Sequence, residues 1–125
     1  MQVAENFATA SVLDVNVVFV KGFFNLTMIP LSKQIDKLAI MRLDGDMYQS
    51  TVDVLYNLYD KLSLNGYVIM DDWFGFPAKT AVEEFFKVHK INPKIVAIDK
   101  LSAYWQKTEE VTVQKWRYSQ FKFTD

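Results

Sequence analysis

The sequence predicts an α/β domain: a three-layer, mostly parallel sheet with helices on its faces. Three observations predict it. Stretches of strand character alternate along the chain with stretches of helical period. Two of the strands, in LAIMRLD and YVIMDD, are nearly continuous apolar runs, the pattern of strands covered on both faces. A single helical stretch separates those two, which suits a right-handed crossover between parallel neighbours. The 125 residues fit one domain with one core, spanning 1–125, without internal repeat, low-complexity segment or linker.

Taken in order, VVFVKGFF (17–24) is β-branched and aromatic, so it reads as a strand. MIPLSKQIDK reads as a connection with one or two helical turns opening near Pro30, because proline suits a first helical position. LAIMRLD is the next strand. From about Ser50 the period changes: Val52, Leu55, Leu58, Tyr59 and Leu62 follow helical spacing, with Ser50 or Thr51 as N-cap and Asn65-Gly66 as the stop. YVIM is a strand again. After the Gly75-Phe76-Pro77 breaker, Ala78, Ala81, Val82, Phe85 and His89 mark a second amphipathic helix, ended by Asn92-Pro93. KIVAID (94–99) gives a further strand. AYWQKT returns onto it as a C-terminal hairpin, antiparallel because the connection is short. The tail EVTVQKWRYSQFKF alternates apolar and polar residues, which suggests an added edge strand.

Composition removes several function classes. Net charge is −1, which gives no electrostatic case for nucleic acid or an anionic membrane. Cysteine is absent, which excludes disulfides, thiolate metal sites and thiol nucleophiles, and fits a reducing, cytoplasmic location. No apolar run approaches the ~20 residues of a membrane helix. The aromatic share of 15% points to a filled core or an oligomer contact.

The chemistry sits where the two apolar strands stop. Asp44 and Asp46 flank Gly45 at one strand end, and Asp71-Asp72 close the other. In open α/β sheets ligands bind beyond the carboxyl ends of strands. If the strands are neighbours, the acids converge and repel, and a hard divalent cation such as Mg²⁺ or Ca²⁺ relieves the repulsion. The competing reading is structural: Asp44 or Asp46 simply caps the helix that follows.

Through RLDGDMYQST, NLYDKL, NGYVIMDDW, AVEEFF and the later ID and YWQK, the chain resembles the macrocin O-methyltransferase family over about 18–107. The resemblance implies a Rossmann-like methyltransferase sheet and S-adenosylmethionine-dependent, Mg²⁺-dependent methylation of a sugar hydroxyl. It places Asp44, Asp71 and Asp72 on the family's metal positions. Asp44 or Asp46 would take the hydroxyl proton, while Trp73 and Tyr48 either wall the acceptor pocket or simply pack.

The family also holds its cofactor on a glycine-rich turn after the first strand. Gly22, Gly45, Gly66 and Gly75 lie too far apart to form one, so no residue here is assigned to the cofactor. In family terms the sheet is expected to be truncated at its N-terminal side, and activity to be absent without that loop. The RLDGD strand would then be an open edge, covered by the 17–24 segment, by the tail or by a second copy of the chain; a homodimer is the expectation adopted. The alternative function is a non-catalytic, self-associating α/β module. A phosphate-accepting signalling domain fits less well, because its acid pair should precede the lone Asp. His89 reads as a partly buried or surface helical residue, and the Lys115, Arg117 and Lys122 pattern as edge-strand alternation.

Overall fold

The computed structural model describes residues 16–120. Helix α1 (Phe24–Gln34) leads into strand β1 (Leu38–Leu43), then helix α2 (Tyr48–Leu58), a 3-10 turn (Tyr59–Lys61) and strand β2 (Leu62–Met70). Helix α3 (Pro77–His89), strands β3 (Val96–Ala97) and β4 (Ala103–Gln106), and a 3-10 helix (Lys115–Gln120) complete the described chain. The strand order is β1-β2-β4-β3. The expected crossover is present, with β1 parallel to β2 and Leu43 opposite Met70. The hairpin is present too, β3 lying antiparallel to β4. Because β4 also runs antiparallel to β2, the α/β sheet is mixed among the described strands, where a mostly parallel one was expected.

Strand alternation decides the core. Met41 and Leu43 of β1, Val68 and Met70 of β2, and Ala103 and Trp105 of β4 point to one face and are buried. All three helices send side chains into that same core: Met28 from α1, Val52 and Leu55 from α2, and Ala78, Val82 and Phe85 from α3. Aromatic edges interlock there, with Tyr56 and Tyr59 each 5.2 Å from Phe85. The opposite sheet face keeps Ile40 (58%) and Tyr67 (41%) exposed.

Several expected elements change. The 17–24 stretch is not a strand: 16–23 carry no regular structure and α1 begins at Phe24. Strand propensity is realised only against a partner, and β1, whose open edge this stretch was one candidate to cover, ends the sheet without a described strand on its outer side. α1 is longer than expected, with Pro30 inside it. α2 ends at Leu58, not at Asn65-Gly66. Asn65, with φ 69°, and Gly66 instead lie within β2, where the pairing with β1 slips between Leu38 and Ile40. A Cβ on Gly66 would meet the Ala39 carbonyl at 2.7 Å, so glycine is what lets the strands approach.

α3 matches its expected face, starts on Pro77, and ends at His89 with Lys90 as a left-handed C-cap, two residues before the expected Asn92 stop. The 94–99 strand shrinks to two residues, because the Asp99 carboxylate accepts the Leu101 and Ser102 N–H groups and starts a turn. Nor does the tail add an edge strand over 111–120. His89 Nε2 accepts the Gln114 N–H, its Nδ1–H donates to the Phe85 carbonyl, and the Tyr118 hydroxyl donates to Asp53, so the tail is drawn onto the helices. The rest of that predicted strand, 121–123, lies outside the described residues. His89 is half-buried, and burial lowers its pKa.

Candidate metal centre

Where β1 ends, the backbone turns sharply. Asp46 has φ 62° and the Met47 N–H reaches back to the Gly45 carbonyl at 2.6 Å, a tight three-residue turn centred on an aspartate. Such a conformation costs about 1–3 kcal/mol and is kept where surrounding contacts enforce it. Those contacts come from the first turn of α2. Ser50 Oγ donates to the carbonyls of Gly45 (2.9 Å) and Met47 (3.1 Å), and Thr51 Oγ1 donates to Met47 (2.8 Å). Neither hydroxyl is the N-cap that was expected. That position is Met47, whose side chain makes no capping bond, so Asp44 and Asp46 are not the cap either. Gly45 is fitted into this turn, for a Cβ there would lie 2.5 Å from Ser50 Oγ.

The parallel pairing brings the end of β2 alongside. One carboxylate oxygen from each of Asp44, Asp46 and Asp72 lies within 4.8 Å of the other two. Asp44 and Asp46 are exposed and Asp72 is half-buried. A hydrogen bond shared with Asp46, partial burial and the nearby Asp44 together push Asp72 up to about 7. Its Oδ2 is buried without a hydrogen-bond partner. An orphaned carboxylate oxygen beside two further carboxylates is an all-oxygen donor set that suits a hard divalent cation.

Asp71 behaves differently. Its carboxylate accepts from Arg42 Nη2 at 2.8 Å, and this hydrogen bond holds it below the usual carboxylate range. The nearby Asp44 contributes to the same lowering. The Asp71 backbone is fixed at both ends: its N–H donates to the Leu43 carbonyl (3.0 Å) and its carbonyl accepts from Ser102 Oγ (2.9 Å). The sequence-predicted acids therefore all meet at one sheet end, with Asp46 inside the closest cluster and Asp71 at its margin.

The two flanking aromatics pack. Trp73 is 4% exposed, lies 6.2 Å from Trp105 and carries Lys79 over its ring. Tyr48 donates its hydroxyl to Glu84. Beside the acid turn, and sharing Gly45 with it, is a cavity of about 740 Å³ lined by Phe23, Phe24, Leu26 and Met47, with Asp53 at its wall. That volume is within the range of small-molecule pockets. Asp53 is 2% exposed, and burial raises its pKa. Sequence reading missed it: one aspartate on an amphipathic helix gives no signal until Tyr118 arrives from 65 residues away.

A family description, macrocin-O-methyltransferase (TylF), matches residues 1–107, a longer stretch than the motifs alone had marked. Demethyldecarbamoylnovobiocin O-methyltransferase of Streptomyces niveus is 43% identical over 108 residues, 86% of this chain and 40% of the relative. Mycinamicin III 3''-O-methyltransferase of Micromonospora griseorubida is 38% identical over 106 residues, 85% of this chain and 41% of the relative. The chain thus spans about 40% of the length of these relatives. The solved structure of the O-methyltransferase NovP superposes with a TM-score of 0.82 at 42% identity, over 86% of this chain and 44% of that one.

Proposed function

The chain belongs to the macrocin-O-methyltransferase family, and from that premise we propose that it forms the metal and acceptor side of an S-adenosylmethionine-dependent sugar O-methyltransferase site. The carrying observation is the convergence of Asp44, Asp46 and Asp72 within 4.8 Å, with Asp72 Oδ2 lacking a partner. Asp44, Asp71 and Asp72 would hold Mg²⁺. Bound there, the cation supplies Lewis-acid polarisation of a sugar hydroxyl. Asp46, exposed on its turn, or Asp44 accepts the hydroxyl proton. When bound, S-adenosylmethionine would supply the methyl group to that oxygen and leave as the neutral thioether, while these carboxylates hold the acceptor and take its proton. The cavity that shares Gly45 gives a small molecule room beside these carboxylates.

Calorimetric titration of Mg²⁺ and of S-adenosylmethionine, each separately, tests this reading. Mg²⁺ should bind the wild-type chain and fail to bind Asp71→Asn. Silence at millimolar Mg²⁺ would overturn the reading in favour of a non-catalytic α/β module. Heat from S-adenosylmethionine would extend it to a complete cofactor site.

Self-association belongs to the same proposal. β1 ends the sheet with no described strand on its outer side, and unpaired strand edges invite another chain. Exposed Ile40 on that strand adds apolar surface. Light scattering should give a dimer mass, and Ile40→Lys should shift the mass toward the monomer. A monomer at every concentration would refute the dimer and leave the metal reading intact.

A further inference from the structure

We propose that Arg42 gates the metal centre: in the metal-free chain its guanidinium occupies the Asp71 carboxylate, and cation binding must displace it. The inference rests on the metal reading above and extends it to a residue outside the acid clusters. Arg42 lies on β1 opposite Ile69, so alternation along β2 puts Asp71 on the same outward face as Arg42. The pair forms at 2.8 Å, with the Arg42 side chain 63% exposed and that of Asp71 35%.

Three features make the carboxylate a switchable group. Its backbone is pinned at N–H and carbonyl, so changing partner needs only side-chain rotation. Its alternative destination is close, since the next residue, Asp72, belongs to the Asp44–Asp46–Asp72 cluster. The existing partner is an exposed single-contact ion pair, which water and salt weaken. A fixed cation beside a cation site opposes loading twice, by repulsion and by holding a ligand. Arg42 is thus a positioning residue that holds Asp71 at the margin of the acid cluster when metal is absent and yields when metal arrives.

The test is calorimetric titration of Mg²⁺ alone into the wild-type chain, Arg42→Gln and Arg42→Lys, with circular dichroism to verify that each is folded. Arg42→Gln should bind Mg²⁺ roughly 3- to 5-fold more tightly, the scale of one exposed ion pair. Arg42→Lys, which keeps the charge and loses the planar fork, should fall between the two. Rising salt should shrink the difference between wild type and Arg42→Gln. Equal or weaker binding by Arg42→Gln overturns the gate while leaving the metal centre standing. Absence of Mg²⁺ binding in all three proteins overturns both.

Discussion

Asp72→Asn should make the metal-free chain more heat-stable at pH 8 while removing its affinity for Mg²⁺. Asp72 shares a tight space with Asp46 and Asp44, and in the folded chain it is pushed up to about 7 from an ordinary 3.8. A carboxyl raised on folding contributes stability that is fully present below about pH 4 and is lost as pH rises through about 7. The metal-free wild type therefore carries a repulsive third charge at pH 8 that the amide variant lacks. Melting both proteins in chelator should show the variant ahead at pH 8 and the two converging near pH 4. A variant less stable at pH 8 would mean that the three carboxylates do not repel.

The second half of the prediction has the opposite sign. Replacing a charged oxygen ligand by a neutral amide oxygen should weaken Mg²⁺ binding by more than the 10- to 100-fold typical of outer-shell partners. One substitution that stabilises the fold and weakens cation binding is the signature of a functional site, where strain and repulsion are kept for binding.

Trp105→Ala should cost about 3–5 kcal/mol, a large part of the ~5–15 kcal/mol of a typical domain. Trp105 is fully buried at the centre of β4. Its ring meets Phe86 edge-on at 5.0 Å and Trp73 at 6.2 Å, and its Nε1–H donates to the Tyr59 hydroxyl at 3.2 Å. Truncation opens a cavity beside Phe86 and Trp73 and leaves the buried Tyr59 hydroxyl without its donor. Trp105→Phe keeps most of the ring volume and should lose a smaller share, chiefly that hydrogen bond. Urea unfolding of the three proteins measures both effects; an alanine variant within ~1 kcal/mol of wild type would remove Trp105 from the core.

The YWQK motif shows where sequence reading ran out. Its resemblance marked the residues without giving them a role. Alternation buries Ala103, Trp105 and Lys107 together, so a lysine ends 1% exposed in the interior. Its ammonium is satisfied from elsewhere in the chain, donating to the Leu62 carbonyl at 2.6 Å and the Tyr59 carbonyl at 3.3 Å. Those acceptors are 45 and 48 residues away, and no local pattern contains them. The 17–24 stretch fails in the opposite direction. Its propensity for strand is real, but a strand needs a ladder partner, and among the described strands none takes that place.

The sequence by itself determined the two acid-ended strands, the helix that makes them parallel neighbours, the second amphipathic helix and the β3–β4 hairpin. All of these rest on periodicity and short connections, which act within a window of a few residues. It therefore also determined that the acids would meet at one end of the sheet. Only the tertiary structure decided how they divide. Asp71 and Asp72 are adjacent in sequence and alike in chemistry, yet one faces Arg42 and the other faces Asp44 and Asp46. Neighbouring residues along a strand point to opposite sides, and which side is which depends on the register that Leu43 and Met70 fix by entering the core together. That phase is a property of the assembled sheet, and it separates the acid at the centre of the site from the acid held at its margin.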